Sequence, residues 1–560
     1  MKRNIANFQD RTFDLIIIGG GITGACLAHD AASRGLSVAL LEKSDFGAAT
    51  SSASSKLLHG GIRYLPKAQP LKVRESARER TICQVIAPHM SHYVPFLIPT
   101  MKDNFMKGKM AIQVGMQLYN FLCIGLEKMV KDPAKKIPLA AFYGRDDLLG
   151  HVPLLKNFEG LTGAQVLYES QMFNSERMTL AFIKTAVSNG AQVANYVSVQ
   201  DFMNRGRRVS GVLCRDVLTG HDFEINGKIV VNAAGPFLPG LNRKIEELKL
   251  VRQNTGFSKG VHLVTRQIED HFALAVSSGK KTEGLVSRGG RHFFVIPWRQ
   301  RSLIGTTNVP FTGDLNEVKV TAKDINDFIR DINDTFAGLN LEKSDIYFAF
   351  TGLYPLVSDE IKPETYQGTG DYQLVDHAVK DNVDGIVSVL GAKYTTARVL
   401  AERAIDLLIV KLGLPKKKCV TSTEPLFEGR IPDMENFLAK KKKEYRDIMA
   451  PSEVECLVKS HGSEIDAVVR HLQGQRSFLE KICPERETFV GEIDYAVRKE
   501  MAYTLTDIIF RRTGLGTIGH PGEKSLCRSA EIMGNVLGWS QKKINDEIAL
   551  VNKEYSYWEN

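Results

Sequence analysis

The sequence predicts an α/β protein in which a doubly wound, Rossmann-like domain is interleaved with a domain built on an antiparallel sheet and followed by a C-terminal α-helical domain. Three observations carry this. The β-branched run "FDLIII" at 13–18 passes directly into "GGGITG" and a helical pattern, as a central parallel strand entering a helix does. The stretch "GRHFFVIPWRQRSLIGTTN" at 290–308 has two apolar runs around a polar turn and reads as an antiparallel hairpin. After the polar, Pro-containing "LPKKKCVTSTEPLFEGRIPD" the composition turns helical, so a boundary falls there. The expected division is residues 1–425 for the interleaved region, with the second domain drawn mainly from about 85–160 and 240–355, and residues 430–560 for the helical domain.

With 560 residues, 43% hydrophobic and 24% charged, the chain is long enough for two or more domains with their own cores. Its net charge of +9 suits anionic substrates or an anionic membrane surface, and no nucleic-acid motif accompanies it. Eight cysteines lie far apart without a C-x-x-C pair, which argues against a disulfide framework or a cysteine-based zinc site, so no metal is expected. No apolar run reaches the ~20 residues that span a bilayer. The nearest, "MAIQVGMQLYNFLCIGLEKMV" at 110–130, is broken by Gln113, Gln117, Asn120 and Glu127 and reads as a helix with one buried stripe, with a stripe resting on a membrane as the lesser alternative. A cytoplasmic protein is expected.

Taken in chain order, Gly19, Gly21 and Gly24 match G-x-G-x-x-G at the first strand-to-helix turn. The first glycine permits the tight turn, the second lets backbone approach a pyrophosphate, and the third lets helix and strand pack closely. A second strand, "SVALLE", ends at Glu42, whose carboxylate can accept hydrogen bonds from a ribose. These features point to a dinucleotide and leave NAD and FAD both open. The run "SSASSKLLHGGIRYL" at 51–65 follows. Thr50, just before it, and its small hydroxyl residues Ser51, Ser52, Ser54 and Ser55 suit a helix start facing a diphosphate, with Lys56, His59, Gly60, Gly61 and Arg63 crowding in behind. Further on, "KIVVNAAGP" at 228–236 reads as a strand ending in a small-residue turn, and "GIVSVLGAKYTTARVLAERAIDLLI" at 385–409 as strand, turn and long helix.

Together "GGGITGA", "ATSSASSKLLHGGIRYL", "SKGVHLV", "VVNAAGP", "IPW…IGTT" and "LGAKYTTAR" resemble the FAD-dependent glycerol-3-phosphate dehydrogenases of the glycine oxidase and D-amino-acid oxidase fold group. The resemblance is strong over residues 12–410 and continues weakly to the C-terminus. It implies FAD as cofactor, with Val197 at the adenine edge, Ala233, Ala234 and Gly235 beside the cofactor, and Gly391, Lys393, Tyr394 and Thr395 at the flavin. It also implies oxidation of sn-glycerol 3-phosphate to dihydroxyacetone phosphate with electrons passed to a quinone. His262, His59, Arg63 and Lys393 become the catalytic candidates, and Arg63, Tyr64, Lys259, Tyr354 and Lys393 the substrate-binding ones. The implied partners are a phosphorylated polyol, a quinone and a peripherally contacted membrane, with a homodimer left open and no nucleic acid. A soluble oxidase using oxygen, or an oxidoreductase of a related polyol or hydroxy acid, would share most of these motifs. A flavin-binding protein without activity would share the cofactor motifs alone.

The chain departs from the family pattern in one place that matters. Where the family has an arginine in "G-L/V-R-P-L", this sequence reads "GLYPL" with Tyr354. A neutral phenol cannot clamp a phosphate as a guanidinium does. The loss of one charged hydrogen bond, about 1.5–3 kcal/mol, corresponds to roughly ten- to hundredfold in affinity unless another cation compensates. Asn308, where aspartate is common after "GTT", is a smaller departure.

Overall fold

The computed structural model describes residues 1–102, 108–138, 140–245, 256–277, 292–356 and 371–559. The first strand, β1 (Thr12–Ile18), is buried along almost its whole length. It pairs in parallel with β2 (Val38–Leu41) on one side and with the strand Asp222–Asn232 on the other. Between β1 and β2 the chain crosses over as helix α1 (Ile22–Ser33), nearly every residue of which is buried. Parallel pairing continues to Gln192–Ala194 beyond β2 and to Ile386–Leu390 beyond Asp222–Asn232, giving the expected doubly wound centre. Antiparallel strands complete this sheet of eight strands among the described residues: Arg208–Asp216 on Asp222–Asn232, Val197–Arg205 on Arg208–Asp216, and Gln373–Asp376 on Ile386–Leu390.

The second sheet has ten strands among the described residues and is antiparallel except where Ala273–Ser277 meets Ser91–Met101. The expected hairpin is present as His292–Trp298 and Arg301–Gly305. Its turn residues Arg299 and Gln300 both take positive φ, 51° and 59°, as a two-residue hairpin requires. Arg299 is held there by the Gly514 carbonyl and the Thr517 hydroxyl, each 3.0 Å away. Gly290 and Arg291, at the start of the quoted stretch, lie outside the described residues.

The C-terminal region is helical as expected, but it does not stand apart. Ile493, Val497, Ile508, Leu526 and Met533 belong to the same continuous core as Leu263, Val295 and Ile304 of the second sheet. A smaller core around Val454, Leu457, Ile465 and Val469 is the region's own. The reading of residues 110–130 needs correction. The helix Lys109–Cys123 forms, but it buries only Met116 and Tyr119. Met110, Val114, Leu118 and Phe121 are exposed by 80, 67, 48 and 67%, so the long apolar stripe points away from the protein.

Candidate active site

A cavity of about 1240 Å³ opens between the two sheets. That exceeds the ~300–1,000 Å³ of an ordinary small-molecule site and leaves room for a dinucleotide with a substrate beside it. One wall is made by the carboxyl ends of the parallel strands, at Ile18, Leu41, Ala233 and Leu390. That is where open α/β sheets bind ligands. The second sheet supplies the other wall through His262, Phe294, Gly305, Gly352 and Tyr354.

At the first wall the glycines are there for lack of space. A Cβ on Gly19 would lie 2.6 Å from the Ala233 carbonyl oxygen, and Gly19 itself takes φ +106°. A Cβ on Gly24 would lie 1.8 Å from the Gly19 carbonyl oxygen. Gly24 therefore seats α1 against β1 without bordering the cavity, whereas Gly19 and Gly21 border it. The Ile22 amide at the start of α1 donates to Ser51 Oγ, 2.9 Å away. Glu42 is fixed from two sides: Oε2 accepts the Gly20 amide at 2.6 Å, and Oε1 accepts the Ser44 amide and hydroxyl at 2.9 and 3.1 Å. Burial pushes its pKa up against the pull of those donors.

The run from Thr50 to Ser55 differs from the expected helix start. Only a single 3₁₀ turn forms, Ala49–Ser51, because each hydroxyl finds a partner outside a helix. Thr50 donates to the Leu353 carbonyl at 2.9 Å, Ser51 turns to α1, and Ser52 bonds its own turn at the Ala49 carbonyl. Ser54 borders the cavity and accepts the Lys56 amide. Ser55 Oγ lies 2.8 Å from His262 Nε2. Lys56 is buried and paired with Glu176 at 2.7 Å.

Arg63, Lys67, His59 and Lys393 all line the cavity, as do Tyr354, Asn308 and His262. Arg63 donates to the Tyr64 hydroxyl at 2.9 Å, and Lys393 Nζ sits 4.0 Å from the centre of the Tyr64 ring. Tyr64 thus aligns the two cations from behind without bordering the cavity. Burial and, next, the neighbouring Arg63 charge bring Lys393 down to about 7. His59 Nδ1 stands 3.8 Å from Glu169 Oε1, and Glu169 is held by the Gly60 amide at 2.7 Å and Arg80 at 3.0 Å. His262, stacked on Phe350, is lowered to about 3 by burial and the Lys56 charge. His262 Nδ1 and Asn308 Oδ1 are buried with no hydrogen-bond partner among the described residues, two open positions for a ligand.

Besides Gly24, Ser52 and Tyr64, which do not border the cavity, three sequence-based assignments change. Lys259 does not reach the cavity: its Nζ pairs with Asp324 Oδ2 at 2.6 Å, so it closes an ion pair inside the second domain. Thr395 is also behind the wall, accepting the His59 amide at 3.1 Å. The Val197 amide is already donated to the Glu42 carbonyl at 2.8 Å. Val197 and Asp216 face each other as a non-hydrogen-bonded pair, so the same edge is offered two residues on, at Val199, which also borders the cavity. Lys67 and Glu169 were not singled out from the sequence. Lys67 had a signal, four residues after Arg63 in the same run, while Glu169 arrives from the middle of the strand Leu161–Met172 with no local mark.

A glycine turn, a fixed carboxylate at the end of β2 and a facing chamber lined with cations and imidazoles define a two-domain dinucleotide oxidoreductase. Residues 14–398 match the family of FAD dependent oxidoreductases, and residues 419–544 match the C-terminal domain of alpha-glycerophosphate oxidase. Over its whole length the chain is 31% identical to a glycerol-3-phosphate dehydrogenase of Synechocystis, of which it covers 98%. It is also 31% identical to the aerobic glycerol-3-phosphate dehydrogenase of Bacillus subtilis, over 91% of this chain and 89% of that one. The structure of the glycerol-3-phosphate dehydrogenase from Bacillus halodurans complexed with FAD superposes with a TM-score of 0.75 at 26% identity, covering 99% of this chain and 97% of that one. The chain belongs to the FAD-dependent oxidoreductases and, among them, to the glycerol-3-phosphate dehydrogenase family. FAD is its cofactor, and the glycine turn, the fixed Glu42 and the unpartnered cavity atoms fit such a ligand.

Proposed function

We propose that this protein oxidises sn-glycerol 3-phosphate to dihydroxyacetone phosphate and passes the electrons to a quinone at a membrane surface. The observation that carries the substrate is the pairing of Arg63 and Lys393 on either side of Tyr64 at the cavity wall, which Lys67 and His59 also line. Cations of one sign crowded together repel each other unless an anion joins them, and a phosphate does so. The relatives named above act as support for the same substrate.

In this reading Glu42 and the Val197–Val199 edge would hold the adenosine half of FAD, the start of α1 its diphosphate, and Gly391 to Tyr394 its flavin end. When bound, FAD supplies the acceptor for the hydride that leaves the substrate's secondary carbon. Arg63, Lys67 and Lys393 hold the phosphate, with Lys67 offsetting the arginine that Tyr354 replaces. The hydroxyl proton goes to His59, backed by the Glu169 carboxylate. His262 fits that role less well, because a group near pH 3 is poorly matched to accept a proton at neutral pH. It stays neutral and orients the Ser55 hydroxyl.

The quinone acceptor is favoured by the outward apolar face of Lys109–Cys123, continued by Ile124 and Leu71 at 63 and 82% exposure. Arg74 borders it, donating to the Leu122 carbonyl at 2.7 Å, and Lys109, Lys128 and Lys131 are exposed nearby. An apolar stripe flanked by basic groups suits a helix lying in a bilayer interface. None of the described helices is long and apolar enough to cross a membrane. The contact in this reading is a peripheral one made by the exposed face of Lys109–Cys123, on the cytoplasmic side of the membrane.

The test is anaerobic mixing of the holoprotein with millimolar glycerol 3-phosphate. Bleaching of the flavin band with this substrate but not with glycerol supports the assignment; no bleaching rejects it. Turnover with a soluble quinone and little peroxide in air supports the acceptor, and stoichiometric peroxide would assign an oxidase.

A further inference from the structure

Besides the contacts of Arg177 and Lys184 with Glu428 and Glu500, the C-terminal region reaches the cofactor domain just after Glu42. Asp45 lies three residues after Glu42 and is fully buried. Arg512 binds it through two nitrogens at 2.7 and 2.8 Å, and Arg511 Nε adds a third contact at 2.6 Å. Asn195 Nδ2 donates to the same carboxylate at 2.9 Å and to the Met501 carbonyl at 2.8 Å. The next residue, Tyr196, takes φ +56°, and its hydroxyl donates to Asp507 Oδ1 at 2.6 Å. Arg511 Nη2 reaches that same oxygen at 2.6 Å.

These contacts act on two short segments that are themselves joined. The Tyr196 amide donates to the Ser44 carbonyl and the Val197 amide to the Glu42 carbonyl. Glu42, Lys43, Ser44, Val197, Ser198 and Val199 all border the cavity. We propose that the π-helical turn Asp507–Arg512 latches these two segments, and that Asp507, Arg511 and Arg512 are positioning residues that set the affinity for the adenosine half of FAD. Loops at the carboxyl ends of strands are ordinarily free to shift, and a ribose-binding carboxylate must be held within about 0.5 Å of its working place. Buried charge pairs on Asp45 and a tethered Tyr196 supply that constraint from the far end of the chain.

The proposal rests on the adenosine placement given above, and the experiment separates the two. FAD and, in competition, ADP are titrated against apoprotein carrying Tyr196→Phe, Arg511→Gln, Arg511→Lys or Glu42→Gln. Tyr196→Phe and Arg511→Gln should weaken FAD and ADP by the same factor, about tenfold, the size expected for a lost charged hydrogen bond. Arg511→Lys, which keeps the charge on Asp45, should recover most of that loss. An FAD affinity within twofold of the parent, or a loss for FAD with ADP unchanged, overturns the latch. If Glu42→Gln also leaves both ligands unaffected, the adenosine placement fails with it.

Discussion

Lys393 sits between two demands. Burial and the Arg63 charge disfavour its ammonium form, while a substrate phosphate favours it. Its pKa of about 7 places the change inside the working range: below that value the side chain is charged, above it neutral. The KM for glycerol 3-phosphate should therefore rise several-fold between about pH 6 and pH 8, and Lys393→Met should raise KM and flatten that profile. A profile that survives in Lys393→Met would assign the titration elsewhere. At Tyr354 an arginine should lower KM by up to the roughly tenfold that one charged hydrogen bond supplies. His59→Asn should reduce kcat by about 10²–10⁴, the usual contribution of a proton-transfer group, with His262→Asn costing less. The sequence marked Arg63, His59 and Lys393 because they stand in dense local motifs. It misplaced Lys259 because strand residues alternate between faces, and nothing near Lys259 announces Asp324 from a helix 65 residues away.

Among the elements, the β1–α1 turn was readable in full, since each glycine answers a local spatial need. Gly24→Ala would put a methyl group 1.8 Å from the Gly19 carbonyl oxygen, so α1 must move off β1. The expected outcome is a protein that no longer retains FAD through gel filtration. The run at 50–55 was readable as a binding segment but not as a shape. Hydroxyl side chains compete with a helix for the same backbone groups, and here Leu353, His262 and α1, all distant in sequence, take the hydroxyls. For Lys109–Cys123 the periodicity identified a stripe, but periodicity is silent on whether a stripe meets the core or a lipid. Two aspartates, Val114→Asp with Phe121→Asp, should abolish sedimentation with anionic vesicles and leave dye-linked activity in solution within about twofold, because both side chains are exposed. Equal sedimentation of parent and variant would refute the membrane face.

At the scale of the whole molecule, the boundary after residue 425 is real in composition, yet the region beyond it shares a core with the second sheet and a buried charge cluster with the first domain. Arg177, on the helix Ser175–Ser188, donates to Glu500 at 2.6 Å and to Glu428 at 3.2 Å, and contacts His461 Nδ1 at 3.1 Å. Lys184 completes the group on both glutamates. Glu428, His461 and Glu500 stand close enough to resemble a metal site, but the two cations already neutralise the carboxylates. No sequence pattern foretold this cluster, because its members come from segments more than 240 residues apart and each looks like an ordinary surface charge. Burial opposes ionisation of Glu500, and Arg177 with Lys184 still holds it well below the usual carboxylate range. Removing one partner from such a group leaves buried charge uncompensated, at a cost of about 3–5 kcal/mol. Arg177→Met should therefore lower the unfolding free energy of the holoprotein, read from urea titration, by that amount, with flavin release and helix loss in a single transition. Adding Glu500→Gln removes the stranded charge and should restore part of the stability. If Arg177→Met instead melts the C-terminal helices first and leaves FAD bound, the two regions are energetically separate and the shared core does not couple them.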